Sequence, residues 1–199
     1  NMNLGFYMPT KVIVGKDCVR ENSDVFKIGK KALIVTGKKS AKLSGALDDV
    51  KYALEKNNIE YVIFDKVMSN PTVECVYDGA ETAMEEEVDF VIAIGGGSPM
   101  DAAKAAAALI ARPGRTVAQL GGLLKVRCRV PPLVAVPTTA GTGSETTIAA
   151  VVTGSDHHKY AINDLCLIPQ AAVLDPALSA SLPQDVTAQT GMDALTHAV

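Results

Sequence analysis

The chain has no tryptophan, and aromatic residues make up only 5% of its 199 positions. Proteins that bind single-stranded nucleic acids stack the bases on aromatic side chains, so this scarcity gives no sign of such a surface. The formal net charge of −3 also argues against nucleic acid or an anionic membrane as the main partner. No apolar run approaches the roughly 18 residues of a membrane span, and no signal-peptide pattern is visible.

Cysteine is scarce as well. The four cysteines stand far apart, with no Cys-x-x-Cys pair and no spacing typical of a zinc site: Cys18, Cys75, Cys128 and Cys166. This usage predicts reduced thiols in a cytoplasmic protein. Apolar residues at 48% and charged residues at 21% are typical of a globular enzyme or binding domain with a substantial core.

The common nucleotide and nucleophile motifs are missing. No Gly-x-Gly-x-x-Gly follows the first long strand pattern, and there is neither a P-loop nor a Gly-x-Ser-x-Gly elbow. Instead, the apolar run 90–94 leads into Gly95-Gly-Gly-Ser98, and Pro99 then opens an alanine-rich helical pattern. Glycines let the main chain approach a phosphate closely, and a helix start presents free N–H groups. This segment predicts an anion site, with an ordinary strand-to-helix turn as the alternative.

Patterns typical of buried strands alternate with helical ones, which predicts an α/β fold: a Rossmann-like parallel sheet flanked by helices. Strands are expected at 12–14, 32–36, 61–64, 90–94, 133–136 and 171–174, and a β-hairpin at 147–162. Helices are expected after the N-caps Ser44 and Thr72, from Pro99 to Ala111, over 176–182 and from Val186 or Thr187 onward. Residues 22–31 are interpreted as a polar linker, residues 112–114 as the stop of the preceding helix and residues 115–129 as a surface excursion.

A second segment rich in glycine and hydroxyl groups follows the strand expected at 133–136. We call residues 95–98 the first glycine turn and residues 138–144 the second glycine turn. Ligands of parallel sheets bind beyond the carboxyl ends of the strands, and both turns follow strands. The two turns are therefore expected at one edge of the sheet, where they favour a nucleotide site.

The end of the first long strand bears on the choice of dinucleotide. An acidic residue there accepts from the ribose 2′-hydroxyl of NAD and repels the 2′-phosphate of NADP. This chain has Gly37, Lys38 and Lys39 at that point, within a lysine cluster that contains no acid. The pattern favours NADP over NAD, and the alternative is a solvated lysine face.

Near the end of the chain, Asp193 and His197 stand four residues apart in a helical pattern. On a helix they share one face and lie close enough to hold one cation. Taken alone the pair is weak, because a transition metal needs at least two further ligands. His157 and His158 are interpreted as exposed hairpin residues, since neighbours on a strand point to opposite faces.

Together, these motifs resemble one family, the iron-containing (group III) alcohol dehydrogenases. The likeness runs through Gly95-Gly-Gly-Ser-Pro-Met-Asp101, Pro137-Thr-Thr-Ala-Gly-Thr-Gly-Ser-Glu145, Asp175-Pro176 and Thr190-Gly-Met-Asp-Ala-Leu-Thr-His-Ala198. It implies a nucleotide-binding α/β domain over residues 1–182, similar to that of dehydroquinate synthases. It also implies that residues 183–199 are the first helix of an all-helical metal-binding domain that is otherwise missing. The helical pattern running to Val199 without a stop signal is expected from such a truncation.

The resemblance also implies roles for individual residues. Gly96, Gly97, Ser98 and Asp101 are expected to hold the pyrophosphate region. The remainder of the cofactor groove is expected from Asn70, Thr138, Thr139, Thr142, Thr147, Lys159 and Leu178. Asp193 and His197 match two metal ligands, for Fe²⁺ or alternatively Zn²⁺. No catalytic residue is assigned.

The implied function is an NAD(P)-dependent oxidoreductase that interconverts a primary alcohol and its aldehyde by hydride transfer at an iron site between two domains. Its expected partner is a small alcohol or aldehyde, and a homo-oligomer is left open. Three alternatives remain: an isolated nucleotide-binding module without turnover, a zinc-dependent polyol enzyme of the glycerol dehydrogenase type, and a lyase of the same fold.

Overall fold

A computed structural model describes residues 7–199. Within that range the main sheet has six parallel strands in the order β1-β9-β6-β4-β2-β3, and a smaller sheet has the order β5-β8-β7. The strands are β1 (Lys11–Val14), β2 (Lys31–Gly37), β3 (Glu60–Val67), β4 (Phe90–Gly95), β5 (Gly122–Leu123), β6 (Leu133–Pro137), β7 (Ala149–Thr153), β8 (Lys159–Asn163) and β9 (Ala171–Leu174). The predicted parallel α/β sheet is confirmed, and so is the antiparallel hairpin of β7 and β8.

Helices connect these strands. They are α1 (Cys18–Glu21), α2 (Ser40–Leu43), α3 (Ala46–Lys56), α4 (Val73–Glu85), α5 (Gly97–Ala111), α6 (Val117–Leu120) and α7 (Gln184–Ala198). Short 3-10 segments lie at Ser23–Phe26, Ser144–Thr146, Leu165–Leu167 and Pro176–Ser179. In the described part of the chain, no helix has the length and apolar character needed to cross a membrane.

The core lies on both faces of the main sheet because alternate side chains of each strand point to opposite faces. On β4, Val91 and Ala93 pack with α4 and α5, whereas Ile92 and Ile94 pack with α1 and α3. Every residue of β4 is buried. Strands covered on both faces have continuous apolar sequences, which explains why this strand was predictable.

Several boundaries differ from the expectation. Ser44 was expected to cap α3, but the N-cap is Gly45, whose φ of 80° favours glycine. Pro99 is the third residue of α5 rather than the first, because Gly97 and Ser98 already have helical backbone. The strand expected at 61–64 extends to Val67, and as an edge strand it is only partly buried.

The two segments expected to be surface connections contain ordered structure. Phe26, in the expected linker, is fully buried within the Ser23–Phe26 3-10 helix. In the expected excursion, α6 begins with a capping box between Thr116 and Gln119. Leu120 and Val126 of that same segment are buried in the core. Both predictions were wrong because isolated apolar residues in short elements give no periodic pattern.

Candidate functional site

The two glycine turns begin side by side at the carboxyl edge of the main sheet. Gly95 on β4 is in register with Pro137 on β6. The Thr138 N–H donates to the Gly95 carbonyl oxygen at 2.9 Å. The predicted juxtaposition of the two turns is therefore confirmed.

Close contact between the turns explains the glycines. A Cβ at Gly96 would lie 3.0 Å from Thr139 Oγ1, and a Cβ at Gly97 would lie 3.1 Å from Thr142 Cγ2. Side chains at these positions would push the second glycine turn away. The absence of side chains also leaves the start of α5 open to an approaching ligand.

The start of α5 has the properties of an anion site. Its N-cap, Gly96, has no side chain, so no cap bond satisfies the first N–H groups within the described residues. These groups carry a partial positive charge of about half a unit. A groove of about 220 Å³ opens beside them, lined by Gly37, Ser40, Val67, Met68, Ser69, Gly96, Gly97, Ser98 and Pro99.

This groove joins the first glycine turn to the end of β2. Gly37 forms part of its wall, and a Cβ there would lie 3.2 Å from the Val67 carbonyl oxygen. Lys38 and Lys39 follow as exposed residues. The Asn70 N–H donates to Ser98 Oγ at 3.3 Å, which brings the loop after β3 to the same place. Asn70 has a φ of 57°, a left-handed conformation that asparagine tolerates.

Asp101 links α5 to the second glycine turn. Its Oδ1 accepts from Ser144 Oγ at 2.9 Å, and its Oδ2 accepts from the Val151 N–H at 3.2 Å. Burial raises the pKa of this carboxyl group, while the bonds from Ser144 and Val151 act in the opposite direction. Both oxygens thus have protein partners, so Asp101 fixes the position of the second glycine turn relative to α5.

Lys104, which the sequence reasoning gave no role, is the most connected polar group near the site. It is 1% exposed. Its Nζ donates to the carbonyl oxygens of Ser144, Thr147 and Ala149 at 2.6, 2.9 and 3.1 Å. It also lies within 3.3 Å of the hydroxyl oxygens of Ser144 and Thr147. Burial lowers its pKa to about 8, against the attraction of Asp101 and Glu145.

A sequence signal for Lys104 existed. It is the only charged residue in the otherwise alanine-rich run 102–108. A charge within a helix that is apolar on all sides is expected to be buried and paired. Lys104 therefore holds the backbone that connects the second glycine turn to β7.

The other expected groove residues have different environments. Thr138 is 1% exposed, and its Oγ1 has no hydrogen-bond partner among residues 7–199. Buried hydroxyls nearly always have a partner, so this one fits a site that a polar ligand completes. Thr147 is held by Lys104, as described above. Leu178, by contrast, is 3% exposed and packs in the core, so it offers the groove little surface.

Lys159 lies on the smaller sheet. It pairs with Thr153 across the β7–β8 hairpin, and its side chain is exposed. The Thr153 N–H donates to the Pro71 carbonyl oxygen at 2.8 Å, which places this end of the hairpin beside the loop containing Asn70. His157 and His158 lie at the hairpin turn and are exposed, as predicted.

The Asp193–His197 pair lies on α7. Asp193 Oδ1 and His197 Nε2 are 3.5 Å apart, and their side chains are 41% and 62% exposed. Within the described residues, no third histidine, cysteine or acidic side chain joins them in a potential metal cluster. A carboxylate and an imidazole are ligand types that suit divalent iron or zinc, so the pair fits part of a metal sphere.

Backbone packing brings α7 to the same edge of the sheet. A Cβ at Gly141 would lie 2.6 Å from the Thr190 carbonyl oxygen, so α7 contacts the second glycine turn directly. A mostly apolar cavity of about 380 Å³ is lined by Pro137 and Leu174 at the strand ends, by Thr139 and by Ala194 of α7. The helix that carries the metal-type pair thus lies against the second glycine turn, whose threonines are expected in the cofactor groove.

A model of one protein family, described as iron-containing alcohol dehydrogenase, matches residues 9–176. The chain belongs to the iron-containing alcohol dehydrogenase family. Alcohol dehydrogenase 4 of Schizosaccharomyces pombe is 42% identical over 98% of this chain and 46% of its own length. The NADPH-dependent butanol dehydrogenase of Clostridium saccharobutylicum is 37% identical over 98% and 50%. The NAD-dependent methanol dehydrogenase of Bacillus methanolicus is 38% identical over 98% and 51%.

Solved structures of this alcohol dehydrogenase family share the fold. The crystal structure of an iron-containing alcohol dehydrogenase from Thermotoga maritima matches with a TM-score of 0.91 and 41% identity, over 98% of this chain and 54% of that one. The α/β architecture of this chain is thus that of its relatives. The chain spans about half the length of the relatives it matches.

Proposed function

We propose that this chain is the dinucleotide-binding half of an iron-type alcohol dehydrogenase that interconverts a primary alcohol and its aldehyde. Residues 1–182 form the nucleotide-binding domain, and residues 183–199 begin a helical metal-binding domain. The observation that carries the proposal is the first glycine turn, packed against the second at the open start of α5. The unpartnered Thr138 hydroxyl at the same edge supports a polar ligand there.

In this proposal the chain's own residues bind and orient. The backbone of Gly96 and Gly97 and the hydroxyl of Ser98 bind the pyrophosphate of NAD or NADP, while Asp101 and Lys104 hold the facing turn. Thr138, Thr139, Thr142 and Thr147 line one side of the groove, Asn70 and Lys159 line the other, and Leu178 supports it from the core. The chemistry supplied by the dinucleotide is hydride transfer, and that supplied by divalent iron is Lewis acidity.

NADP is the preferred dinucleotide in this proposal. Gly37 leaves room at the end of β2, and Lys38 and Lys39 add positive charge where a 2′-phosphate would lie. One relative of similar identity is named NADPH-dependent and another NAD-dependent. Family membership therefore does not decide between the two dinucleotides. Asp193 and His197 are proposed as two ligands of Fe²⁺, with Zn²⁺ as the alternative. The free cysteines fit a reducing compartment such as the cytoplasm.

The direct test is a parallel titration with NADPH and NADH, followed by nicotinamide fluorescence. We expect saturable binding of both, with NADPH the tighter ligand. Gly97→Val should weaken both at least tenfold, because its side chain would meet Thr142 and cover the start of α5. Gly191→Val on α7 is the matched control, since a Cβ at Gly191 meets no atom of a packed neighbour within 4 Å in residues 7–199. Equal binding by the two variants would refute the glycine-turn site.

The small number of metal-type residues in this chain favours a second function, which is dinucleotide binding without turnover. Asp193 and His197 are two ligands, whereas catalytic transition-metal sites in proteins use about three protein ligands. We expect the 199-residue chain to bind dinucleotide but to retain little iron and to oxidise no primary alcohol. Measurable NADPH formation from a primary alcohol and NADP by this chain alone would overturn this second proposal.

A further inference from the structure

A basic cavity lies at the far end of α5, away from the glycine turns. It has a volume of about 350 Å³ and is lined by Arg112, Arg115, Gln119, Leu120, Leu124, Lys125 and Arg127. The 15 residues of α5, at 1.5 Å per residue, separate it from the first glycine turn by about 22 Å. The basic cavity is therefore a separate feature from the proposed dinucleotide groove.

The cationic side chains of this cavity have no ion-pair partner within the described residues. No carboxylate in residues 7–199 lies within 4.0 Å of the charged groups of Arg112, Arg115, Lys125 or Arg127. The sequence contains no aspartate or glutamate from 102 to 144, although the net charge of the whole chain is −3. Asp164, which contacts the loop of this cavity, is buried and accepts from the backbone N–H groups of Val126 and Arg127.

Hydrogen bonds hold two guanidinium groups in place. Arg112 donates from Nε to the Val126 carbonyl oxygen and from Nη2 to the Arg127 carbonyl oxygen, and Arg127 donates from Nε to the Leu124 carbonyl oxygen. The Arg112 side chain therefore bonds to the loop and not to the last carbonyl oxygens of α5. Capping of α5 thus does not explain the position of this guanidinium group. The remaining N–H donors of both groups are left for a ligand.

The loop is held in an unusual conformation. Leu124 and Arg127 have φ values of 52° and 49°, which bulky side chains rarely adopt. Such conformations persist where surrounding bonds impose them, and they cluster at ligand-binding segments. Here the hydrogen bonds donated by the side chains of Arg112 and Arg127 and those accepted by Asp164 impose the conformation. The loop is therefore organised before any ligand binds.

We propose that the basic cavity binds a small anion that carries two or more phosphate groups. Guanidinium groups match pairs of phosphate oxygens, and four cations around one cavity call for several negative charges. The volume suits a small molecule, since ligand pockets begin at about 300 Å³. Neither the proposed hydride transfer nor the metal-type pair uses this cavity.

The test is isothermal titration of the protein with tripolyphosphate. Arg115→Gln/Lys125→Gln is the informative double variant, because neither side chain makes a hydrogen bond or ion pair within the described residues, so the loop bonds survive. We expect at least tenfold weaker binding. Lys16→Gln/Lys56→Gln removes the same charge from exposed positions elsewhere and should bind as the wild type does. Undetectable binding by the wild type, or equal weakening in both double variants, would overturn the proposal.

Two further measurements separate this site from the dinucleotide groove and from a protein partner. Gly97→Val should keep the tripolyphosphate binding that Arg115→Gln/Lys125→Gln weakens, and it should lose only a separate binding event at the first glycine turn. If Gly97→Val loses tripolyphosphate binding altogether while Arg115→Gln/Lys125→Gln keeps it, the anion binds at the first glycine turn, which refutes the basic-cavity proposal and leaves the proposed function intact. A polyglutamate peptide that binds more tightly than tripolyphosphate would also overturn the proposal, in favour of an acidic protein segment.

Discussion

The Lys104 ammonium donates to the Ser144 carbonyl oxygen at 2.6 Å, from a side chain that is 1% exposed. Ser144 also donates through Oγ to Asp101 Oδ1, so one helix holds the end of the second glycine turn at two points. The turn's position depends on buried polar bonds rather than on apolar packing alone. Disrupting these bonds is therefore expected to affect both stability and ligand affinity.

Lys104→Met keeps an unbranched side chain, one heavy atom shorter, but removes every hydrogen-bond donor. It leaves the carbonyl oxygens of Ser144, Thr147 and Ala149 without their buried partner, which should reduce the free energy of unfolding by about 2–4 kcal/mol. Dinucleotide affinity should fall at least tenfold because the second glycine turn loses its anchor. Urea unfolding and NADPH titration measure the two effects. Lys16→Met, at an exposed position, should change neither; a Lys104→Met protein that also changes neither would contradict this account.

The titration of Lys104 should be visible in the pH dependence of dinucleotide binding. Burial lowers its pKa from 10.5 to about 8, so the charged form is lost as pH rises through 8. Dinucleotide affinity should then decrease with an apparent pKa near 8, because the anchor loses a proton and a positive charge. Lys104→Met should lack this step; its persistence in the variant would assign it to another group.

The lowered pKa of Lys104 affects stability in the opposite direction from dinucleotide affinity as the pH rises. Between pH 8 and 10.5 the unfolded chain holds a proton that the folded chain has released. The free energy of unfolding contributed by this group therefore rises with pH across that interval. Urea unfolding curves of the wild type and Lys104→Met, measured across that interval, should differ in slope in this sense.

Cofactor choice should respond to charge at the end of β2. Lys38→Gln/Lys39→Gln is expected to weaken NADPH binding about tenfold and to leave NADH binding within twofold, because only NADPH carries the 2′-phosphate. Gly37→Asp should shift the preference further toward NADH, since a carboxylate accepts from a 2′-hydroxyl and repels a phosphate. Fluorescence titrations with both dinucleotides measure this, with Lys16→Gln/Lys56→Gln as the charge-matched control. Tighter NADH binding by the wild type would refute the NADP preference.

The metal assignment can be tested within one helix. Asp193→Ala should lower the iron content of the protein, purified with the full metal-binding domain, at least tenfold and abolish alcohol oxidation. Asp185→Ala, in the first turn of the same α7, removes an equivalent carboxylate far from His197 and should retain both. Iron content is measured by elemental analysis. Normal iron content in Asp193→Ala would exclude this residue as a ligand.

The sequence predicted the main sheet well because its strands are short apolar runs that end at glycine, proline or polar residues. Residues 90–94 and 133–136 are such runs, and they placed the two glycine turns at one edge correctly. The same reasoning does not reveal that Gly96 and Gly97 contact Thr139 and Thr142, because contacts between loops have no periodic signal. The roles of the individual groove and metal residues stay predictions.

Other features depended on contacts remote in sequence. Gly45 replaces Ser44 as the cap of α3 because the turn between two helices requires a positive φ, which outweighs the preference for a hydroxyl. The two-residue strand β5 exists only through its pairing with β8. Asp164 could not be recognised as an organiser of residues 126–127, because nothing in its immediate sequence indicates which backbone it would reach.

The contact between Gly141 and Thr190 limits which amino acids the chain can accept at position 141. Because the Thr190 carbonyl oxygen occupies the space of a missing Cβ, any residue but glycine at position 141 would displace the helix that bears Asp193 and His197. Gly191, one residue beyond Thr190, faces open space in the part of the chain that the structure describes. In a saturation library of the 199-residue chain screened for NADPH binding, position 141 should return glycine alone, while position 191 accepts many residues. Of the two glycines at the contact between the second glycine turn and α7, Gly141 would then be required by packing and Gly191 would not.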